Sequence, residues 1–470
     1  MTRKVALVRL PGTYADWFRR PILGITYLAA RLNHAGIDTQ IFDAYFHGWS
    51  MDELVQRVAD YGPDLFGLTA MTHEISRAAE AAQKIKAKIN IPALVGGAHV
   101  TALPRDTLIQ YPEFDYGVFG EGENAVVELV NALNDGPDES RLSGIAGLVY
   151  RRNNEVVRNS AGDFLSAADL DDLPFPDFSS YYGDNPRALS GKDQYYPLIT
   201  SRGCPYSCAF CMQVLGRKVR ARSPENVLAE IEHAISRYGA HTIDFQDEIF
   251  LADNQRTRHI LDLMISAGLN RRIRWRGLTR VNMVTESIID LAKQAGCHHL
   301  EMGVESGNDA ILADIGKNIT VHQVEQAVGI IKKAGLELVT YYIIGHPNET
   351  PDTARQTVDL AARLNTDGIA VGLMVPYPGT RIYDLAKQGR AGYRLLTEDW
   401  SQYDKYGSKA LEISGLPHDE MVRLQKRAYL NLYVKNYRFL NLAGFVWKRR
   451  RAFQYFAQKK LYGLRKGRSG

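Results

Sequence analysis

Cys204, Cys208 and Cys211 lie close together in Ser201-Arg202-Gly203-Cys204-Pro205-Tyr206-Ser207-Cys208-Ala209-Phe210-Cys211 and are three of the four cysteines in the chain. An odd set of thiols cannot pair off, so the cluster reads as a metal site and not as a disulfide framework. Iron–sulfur clusters of the four-iron type normally take four thiolates. A loop that supplies three leaves one iron open to another ligand. Zinc completed by a histidine is the other metal reading, although zinc motifs come as paired Cys or Cys–His units. Cys297, alone before an expected strand, reads as a small buried hydrophobe, and His298 and His299 read as structural.

The elements around this loop follow a regular alternation. Strands are expected at 197–200, 242–246, 274–279, 299–303, 338–344 and 369–375, with helices at 224–238, 256–267, 285–295, 321–334 and 351–364. Six such units predict a full or partial (β/α)6 TIM-type barrel over 196–390, with its chemistry at the C-terminal strand ends. The cysteine loop falls directly after the first strand.

Residues 1–140 alternate on a shorter period. Strands at 5–10, 37–42, 65–70, 93–95 and 116–119 enclose helices at 23–35, 51–61, 76–88 and 123–133, which predicts a doubly wound parallel α/β sheet. Ligands on such sheets bind beyond the carboxyl ends of the strands. Three loops fall there: Thr69-Ala70-Met71-Thr72, Gly96-Gly97-Ala98-His99-Val100-Thr101 and Gly120-Glu121-Gly122-Glu123. Their glycines admit close backbone approach, and their hydroxyls offer hydrogen bonds. No G-x-G-x-x-G opens the first helix, which argues against a dinucleotide. Residues 141–195 read as a linker that carries a strand pair around Asn153-Asn154 and an acidic, proline-punctuated run from Asp169 to Asp177.

With 470 residues, 45% of them hydrophobic, and 40 glycines, the chain should hold two or three globular domains. Its net charge of +4 hides an asymmetry: after Glu420 there are 14 Lys or Arg and no Asp or Glu, so the rest carries −10. Region 391–470 is therefore a basic, aromatic-rich module, with helical stretches expected at 419–439 and 445–461. It suits a cap packed over the acidic remainder, a lipid-like substrate or an anionic membrane surface better than nucleic acid. No apolar run approaches the roughly 18 to 20 residues that span a bilayer, and charge soon interrupts the N-terminal apolar stretch. A reducing cytosol, with peripheral membrane contact, is the expected setting.

The spacing Cys204-x-x-x-Cys208-x-x-Cys211, with Phe210 before the last cysteine, resembles the cluster loop of radical S-adenosylmethionine (SAM) enzymes. Later strand ends carry further matches: Asp244-Phe245-Gln246-Asp247-Glu248-Ile249-Phe250, Gly303-Val304-Glu305-Ser306-Gly307, Ile344-Gly345-His346-Pro347-Asn348-Glu349-Thr350 and Pro376-Tyr377-Pro378-Gly379-Thr380. Together with the preceding sheet they resemble the subclass that carries an N-terminal cobalamin-binding domain.

That resemblance implies a [4Fe-4S] cluster on Cys204, Cys208 and Cys211, with SAM on the fourth iron and reductive cleavage to a 5′-deoxyadenosyl radical. It implies Glu248, or Asp247 in its place, as the acceptor for the SAM ammonium. Glu305 and Ser306 would meet the ribose or carboxylate, Arg280 the carboxylate, and Phe210 and Ile344 the adenine. Cobalamin would lie over Thr69, Met71, Thr72, Gly96, Gly97, His99, Thr101, Gly120, Glu121 and Glu123. The Asp-x-His-x-x-Gly motif that supplies an axial histidine is absent, since Asp43-Ala44-Tyr45-Phe46-His47-Gly48 has the wrong spacing. The implied activity is methyl transfer to an unactivated carbon of a small-molecule or lipid-like substrate, with electrons from a flavodoxin- or ferredoxin-type donor. Radical cyclisation, ring contraction or carbon–carbon coupling is the alternative within enzymes, and a cobalamin or redox sensor is the alternative outside them.

Overall fold

The computed structural model describes residues 3–12, 20–134, 139–153, 155–183, 185, 187–189, 191, 194–405 and 407–448. Its first sheet has the order β2-β1-β3-β4-β5-β6-β7. The strands are β1 (Lys4–Arg9), β2 (Asp38–Asp43), β3 (Leu65–Thr69), β4 (Ala93–Gly96), β5 (Tyr116–Val118), β6 (Leu148–Arg152) and β7 (Glu155–Arg158). Val5, Ala6, Leu7 and Val8 are all buried, as a parallel strand covered by helices on both faces requires. The helices Leu23–His34, Met51–Tyr61, Ile75–Lys88 and Glu123–Asn134 provide that cover. Strand order reverses between β1 and β3, and the crevice at such a reversal is where ligands of this fold bind.

The expected strand pair around Asn153 forms, but it does not stand apart as a linker. β6 runs antiparallel to β5, and β7 antiparallel to β6. Arg151 helps to hold them there by donating to the Phe114 carbonyl at 3.0 Å. The acidic run likewise packs: Ala167–Asp172 is helical, and Asp171 accepts from the Ser223 amide at 2.8 Å.

The chain then enters β8 (Tyr196–Leu198), followed by a short antiparallel pair, β9 (Ser201–Arg202) and β10 (Arg220–Ala221). β11 (Thr242–Phe245), β12 (Arg274–Thr279), β13 (Cys297–Glu305), β14 (Glu337–Ile344) and β15 (Gly368–Leu373) join β8 in a second parallel sheet. Its order, β15-β14-β13-β12-β11-β8, is a six-stranded partial barrel wound in one direction, with β8 and β15 at its edges. The intervening helices are well capped. Pro224–Tyr238, for example, starts on Ser223 and stops at Gly239 in the left-handed conformation.

Beyond the barrel, β16 (Tyr393–Leu395) and β17 (Leu411–Ile413) form a hairpin. Helix His418–Val434 covers the open edge of β15, where Gln425 donates to the Val371 carbonyl at 2.9 Å and the Val371 amide donates to the Tyr429 hydroxyl at 3.0 Å. Covering an edge strand in this way removes an exposed pairing template. Helix Phe439–Lys448 follows, and residues 449–470 of the basic module lie outside the described residues.

Candidate functional site

The cysteine loop is held at its base and along its length. β9 and β10 pair across its two ends, and the Cys204 amide donates to the Gly216 carbonyl at 3.1 Å. Gly203 has φ +95°, and a Cβ there would overlap the Lys218 carbonyl oxygen, so the turn into the first cysteine requires glycine. The Ala209 amide donates to Ile315 at 2.9 Å, which fastens the loop to the barrel. The Arg280 guanidinium lies 3.7 Å over the Tyr206 ring, and Asn282 donates to the Tyr206 hydroxyl at 3.1 Å.

All three loop thiols are free; Cys204 and Cys208 are half-buried and Cys211 reaches the surface. Desolvation raises the Cys208 pKa, opposed by Lys317 and then Arg280. Desolvation in the loop, reinforced by the Cys208 and Cys204 thiols, pushes Cys211 to about 11 even though part of the residue meets solvent. Both are therefore protonated near neutrality, and a metal must displace their protons. Among the described residues no His, Cys, Asp or Glu group is gathered around a single-ion position. A four-iron cluster engages its ligands through separate irons, so its thiols need not converge on one point.

The carboxylates after β11 have different situations. Asp247 accepts from the Thr200 amide at 3.0 Å, the Thr200 hydroxyl at 2.7 Å and the Ser201 hydroxyl at 2.6 Å. Both of its oxygens are spent on fixing the segment between β8 and β9. Glu248 instead keeps a buried Oε2 without a hydrogen-bond partner. Its pKa is raised, chiefly by desolvation, and its charge reaches Cys211. An orphaned carboxylate oxygen whose charge is felt at Cys211 fits a ligand that brings both an ammonium group and iron-binding atoms.

At the end of β13, Glu305 is buried and adopts φ +73°, a conformation that costs a non-glycine residue of order 1–3 kcal/mol. Lys317 pairs with its Oε1 at 2.8 Å, and the His346 ring lies 3.3 Å from its carbonyl oxygen. A Cβ on Gly303 would overlap Glu305 Oε1 and come within 2.9 Å of Lys317 Nζ, so the glycine leaves room for this ion pair. Arg280 donates to the Lys317 carbonyl and to Asn282 Oδ1, so it braces the loop. Ser306 is fully buried beside the Thr357 hydroxyl at 3.3 Å, and Ile344 is fully buried at the end of β14. Phe210 and Glu305 line a cavity of about 330 Å³ with Tyr341, Ile343, Met374 and Lys405. Glu349 accepts from the Gly345 and His346 amides and Thr350 caps the next helix, so the second half of that motif shapes its own turn.

In the first domain, Thr69, Gly96, Gly97 and Gly120 line a cavity of about 260 Å³ at the strand ends. Gly97 has φ +101°, and a Cβ there would meet the Ala70 carbonyl at 2.8 Å. Thr101 instead lines a second cavity, of about 550 Å³, together with Ala102, Cys208, Cys211, Gly379 and Arg381. Both cavities have walls from two parts of the chain, because Arg202 and Leu215 close the smaller one.

Three expected positions lie apart from these walls. Met71 is exposed and Thr72 is buried in the turn after β3. His99 points beneath Trp400, with ring centroids 5.2 Å apart, and neither ring nitrogen has a partner; burial pushes its pKa down to about 4. His47 stacks on Trp49 at 4.4 Å, and among the described residues no histidine lines the smaller cavity.

Glu121 and Glu123 also border that cavity, but their carboxylates are engaged. Glu121 accepts from Arg202 at 3.0 Å and from Arg220 at 2.8 Å, and Glu123 accepts from Arg202 at 2.6 Å. Burial works against the Arg202 charge, yet Glu123 and Glu121 outweigh it and the pKa is raised. Arg202 and Arg220 are the two ends of the cysteine loop, so these carboxylates lock that loop to the first domain. Sequence reasoning passed over both arginines and Lys317. Their only signal was position: basic residues flanking the loop and a lysine after Gly316.

Comparison with known proteins agrees with this architecture. The family model described as the Radical SAM superfamily matches residues 198–361, and that described as the B12 binding domain matches 20–130. The chain is 32% identical to an uncharacterized methyltransferase, PH0819, of Pyrococcus horikoshii, over 92% of this chain and 90% of the relative. It is 26% identical to the anaerobic magnesium-protoporphyrin IX monomethyl ester cyclase of Cereibacter sphaeroides, over 88% of this chain and 67% of the relative. Among solved structures, the radical S-adenosylmethionine methyltransferase TsrM of Kitasatospora setae, with cobalamin and a [4Fe-4S] cluster bound, shares the fold. The TM-score is 0.72 at 20% identity, covering 91% of each chain.

Proposed function

Since the chain belongs to the radical S-adenosylmethionine enzymes that carry a B12-binding domain, we propose that it is a cobalamin-dependent methyltransferase acting on an unactivated carbon of a small molecule. The observation that carries this reading is the cavity of about 550 Å³, which opens at once onto Thr101 and Ala102 of the first domain and onto Cys208 and Cys211. Chemistry started at the thiols and a group held by the first domain can therefore act on one substrate.

In this reading Cys204, Cys208 and Cys211 hold a [4Fe-4S] cluster as thiolates, and Lys317 and Arg280 favour the Cys208 thiolate. Glu248 offers its orphaned oxygen to the ammonium of SAM. Phe210, Glu305 and Ile344 shape the adenosine side, while Arg280 and Ser306 keep that wall in place. Thr69, Gly96, Gly97 and Gly120 cradle cobalamin, with Thr101 on the side nearer the cysteines. When bound, the cluster and SAM together supply hydrogen-atom abstraction, and cobalamin supplies methyl donation. The cavity beside Tyr341, Met374 and Lys405 is where substrate enters the barrel, and a flavodoxin- or ferredoxin-type protein provides the electron.

The test is product mass from reconstituted protein under strong reductant. A gain of one CH₂, with both S-adenosylhomocysteine and 5′-deoxyadenosine formed, supports methylation. The cyclase relative favours a second reading, radical ring formation; 5′-deoxyadenosine without S-adenosylhomocysteine would support it. A Cys208→Ala protein that kept cluster absorbance and SAM cleavage would defeat both.

A further inference from the structure

Eleven large apolar side chains stand exposed among the described residues, and six of them fall between 430 and 447: Leu430, Val434, Tyr437, Phe439, Leu440 and Trp447. Leu440 is 89% exposed and Tyr437 84%. Isolated exposed leucines are ordinary on protein surfaces, but such a concentration marks a contact site.

The sequence around this stretch is basic: no Asp or Glu follows Glu420, and Arg423, Lys426, Arg427, Lys435 and Arg438 lie on or beside it. Helix His418–Val434 buries Met421, Leu424, Ala428 and Leu432 against the barrel and leaves Lys426, Arg427, Leu430 and Val434 exposed. Spacings of three and four residues put these on one face. The turn that follows is fastened to the barrel by its polar groups. Lys435 pairs with Asp359 at 2.9 Å, Asn436 donates to the Ala362 carbonyl at 2.9 Å, and Arg438 donates to Thr366 and Asp367 carbonyls at 2.6 and 2.9 Å. Lys435 and Asp359 pair at the surface, while Asn436 and Arg438 turn inward and Tyr437, Phe439 and Leu440 face out.

We propose that Lys426, Arg427, Leu430, Val434, Tyr437 and Leu440 form a docking face that lays the enzyme on an anionic phospholipid surface. Bulky apolar side chains interleaved with bases suit the interface between headgroups and acyl chains. The binding is peripheral in kind, since no described helix is long and apolar enough to cross a membrane. Residues 1–420 carry net −10, so the same surface repels the rest of the molecule and orients it. Single-stranded RNA fits less well, because aliphatic Leu430, Val434 and Leu440 cannot stack on bases. A symmetric contact with a second copy would oppose like charges. The proposal is independent of which reaction the barrel performs.

Flotation of the full chain with vesicles tests it. Vesicles of phosphatidylcholine with phosphatidylglycerol should carry about tenfold more protein than phosphatidylcholine alone, and added salt should release it. Leu430→Glu with Leu440→Glu should abolish flotation while SAM cleavage is kept. Lys426→Glu with Arg427→Glu should remove the preference for phosphatidylglycerol, which tests the charged half separately. Absence of flotation, equal flotation on both vesicles, or flotation unchanged in both variants would overturn the proposal. So would a gel shift of single-stranded RNA, or a dimer lost in the leucine variant, in protein that does not float.

Discussion

Arg202 and Glu123 meet at 2.6 Å across the boundary between the two sheets, each with a side chain only 7% exposed. Arg202 immediately precedes the turn into Cys204, and Glu123 begins a helix of the first domain. With Glu121 and Arg220, the pair makes the position of the cysteine loop depend on the B12-binding domain. The two halves of the site are thus set in one frame by charge.

Breaking that lock should cost more than its surface area suggests. Arg202→Met strands the buried Glu123 carboxylate and leaves Glu121 to Arg220 alone, a loss of about 3–5 kcal/mol. Urea unfolding should show that drop. Methyl transfer should fall further than SAM cleavage, because only the former needs both domains in register. Equal losses in the two activities would argue against the coupling.

Glu248→Gln removes charge but little volume. A charge-assisted hydrogen bond of about 1.5–3 kcal/mol corresponds to roughly 10- to 150-fold weaker SAM binding. Cluster absorbance should be unchanged. Asp247→Asn, by contrast, should lower the melting temperature, because Asp247 holds Thr200 and Ser201.

Gly203→Ala tests whether the loop turn matters apart from its thiols. The added Cβ would overlap the Lys218 carbonyl oxygen, and the positive φ adds of order 1 kcal/mol. Iron content after reconstitution should fall well below that of the parent. Far-ultraviolet dichroism should stay the same, because both sheets remain.

His99 gives a pH dependence of known sign. Its folded pKa of about 4 lies below the ordinary 6.5, so below pH 6.5 the unfolded chain binds the proton and the folded one resists it. Its contribution is present above pH 6.5 and is lost as pH falls toward 4, by up to about 3 kcal/mol. His99→Leu should flatten the stability profile in that window, measured by denaturant midpoints at pH 7 and 4.5. An unchanged slope would mean that His99 is protonated in the fold.

The elements were largely legible from the sequence. Helices expected at 51–61, 224–238 and 351–364 form over those residues, because an apolar period, a Ser or Thr cap and a stopping glycine or asparagine agree locally. β6 and β7 were visible as a pair, yet their attachment to β5 was not, since pairing across more than 30 residues leaves no local mark. Glu121 and Glu123 were noticed as residues of the strand-end loops, but their arginine partners were not. A carboxylate after a glycine looks the same whether it faces a ligand or an arginine.

The sequence by itself determined the three-thiol loop, the alternation of strands and helices that makes both sheets, and the charge imbalance of the C-terminal module. These are properties of spacing and composition, carried by neighbours along the chain. Only the tertiary structure decided that Asp247 is spent while Glu248 keeps an unpartnered oxygen, that Lys317 reaches Glu305, and that Arg202 is answered by Glu121 from 81 residues away. The physical reason is that desolvation and ion pairing depend on which groups folding brings within a few ångströms, and distance along the chain does not encode that.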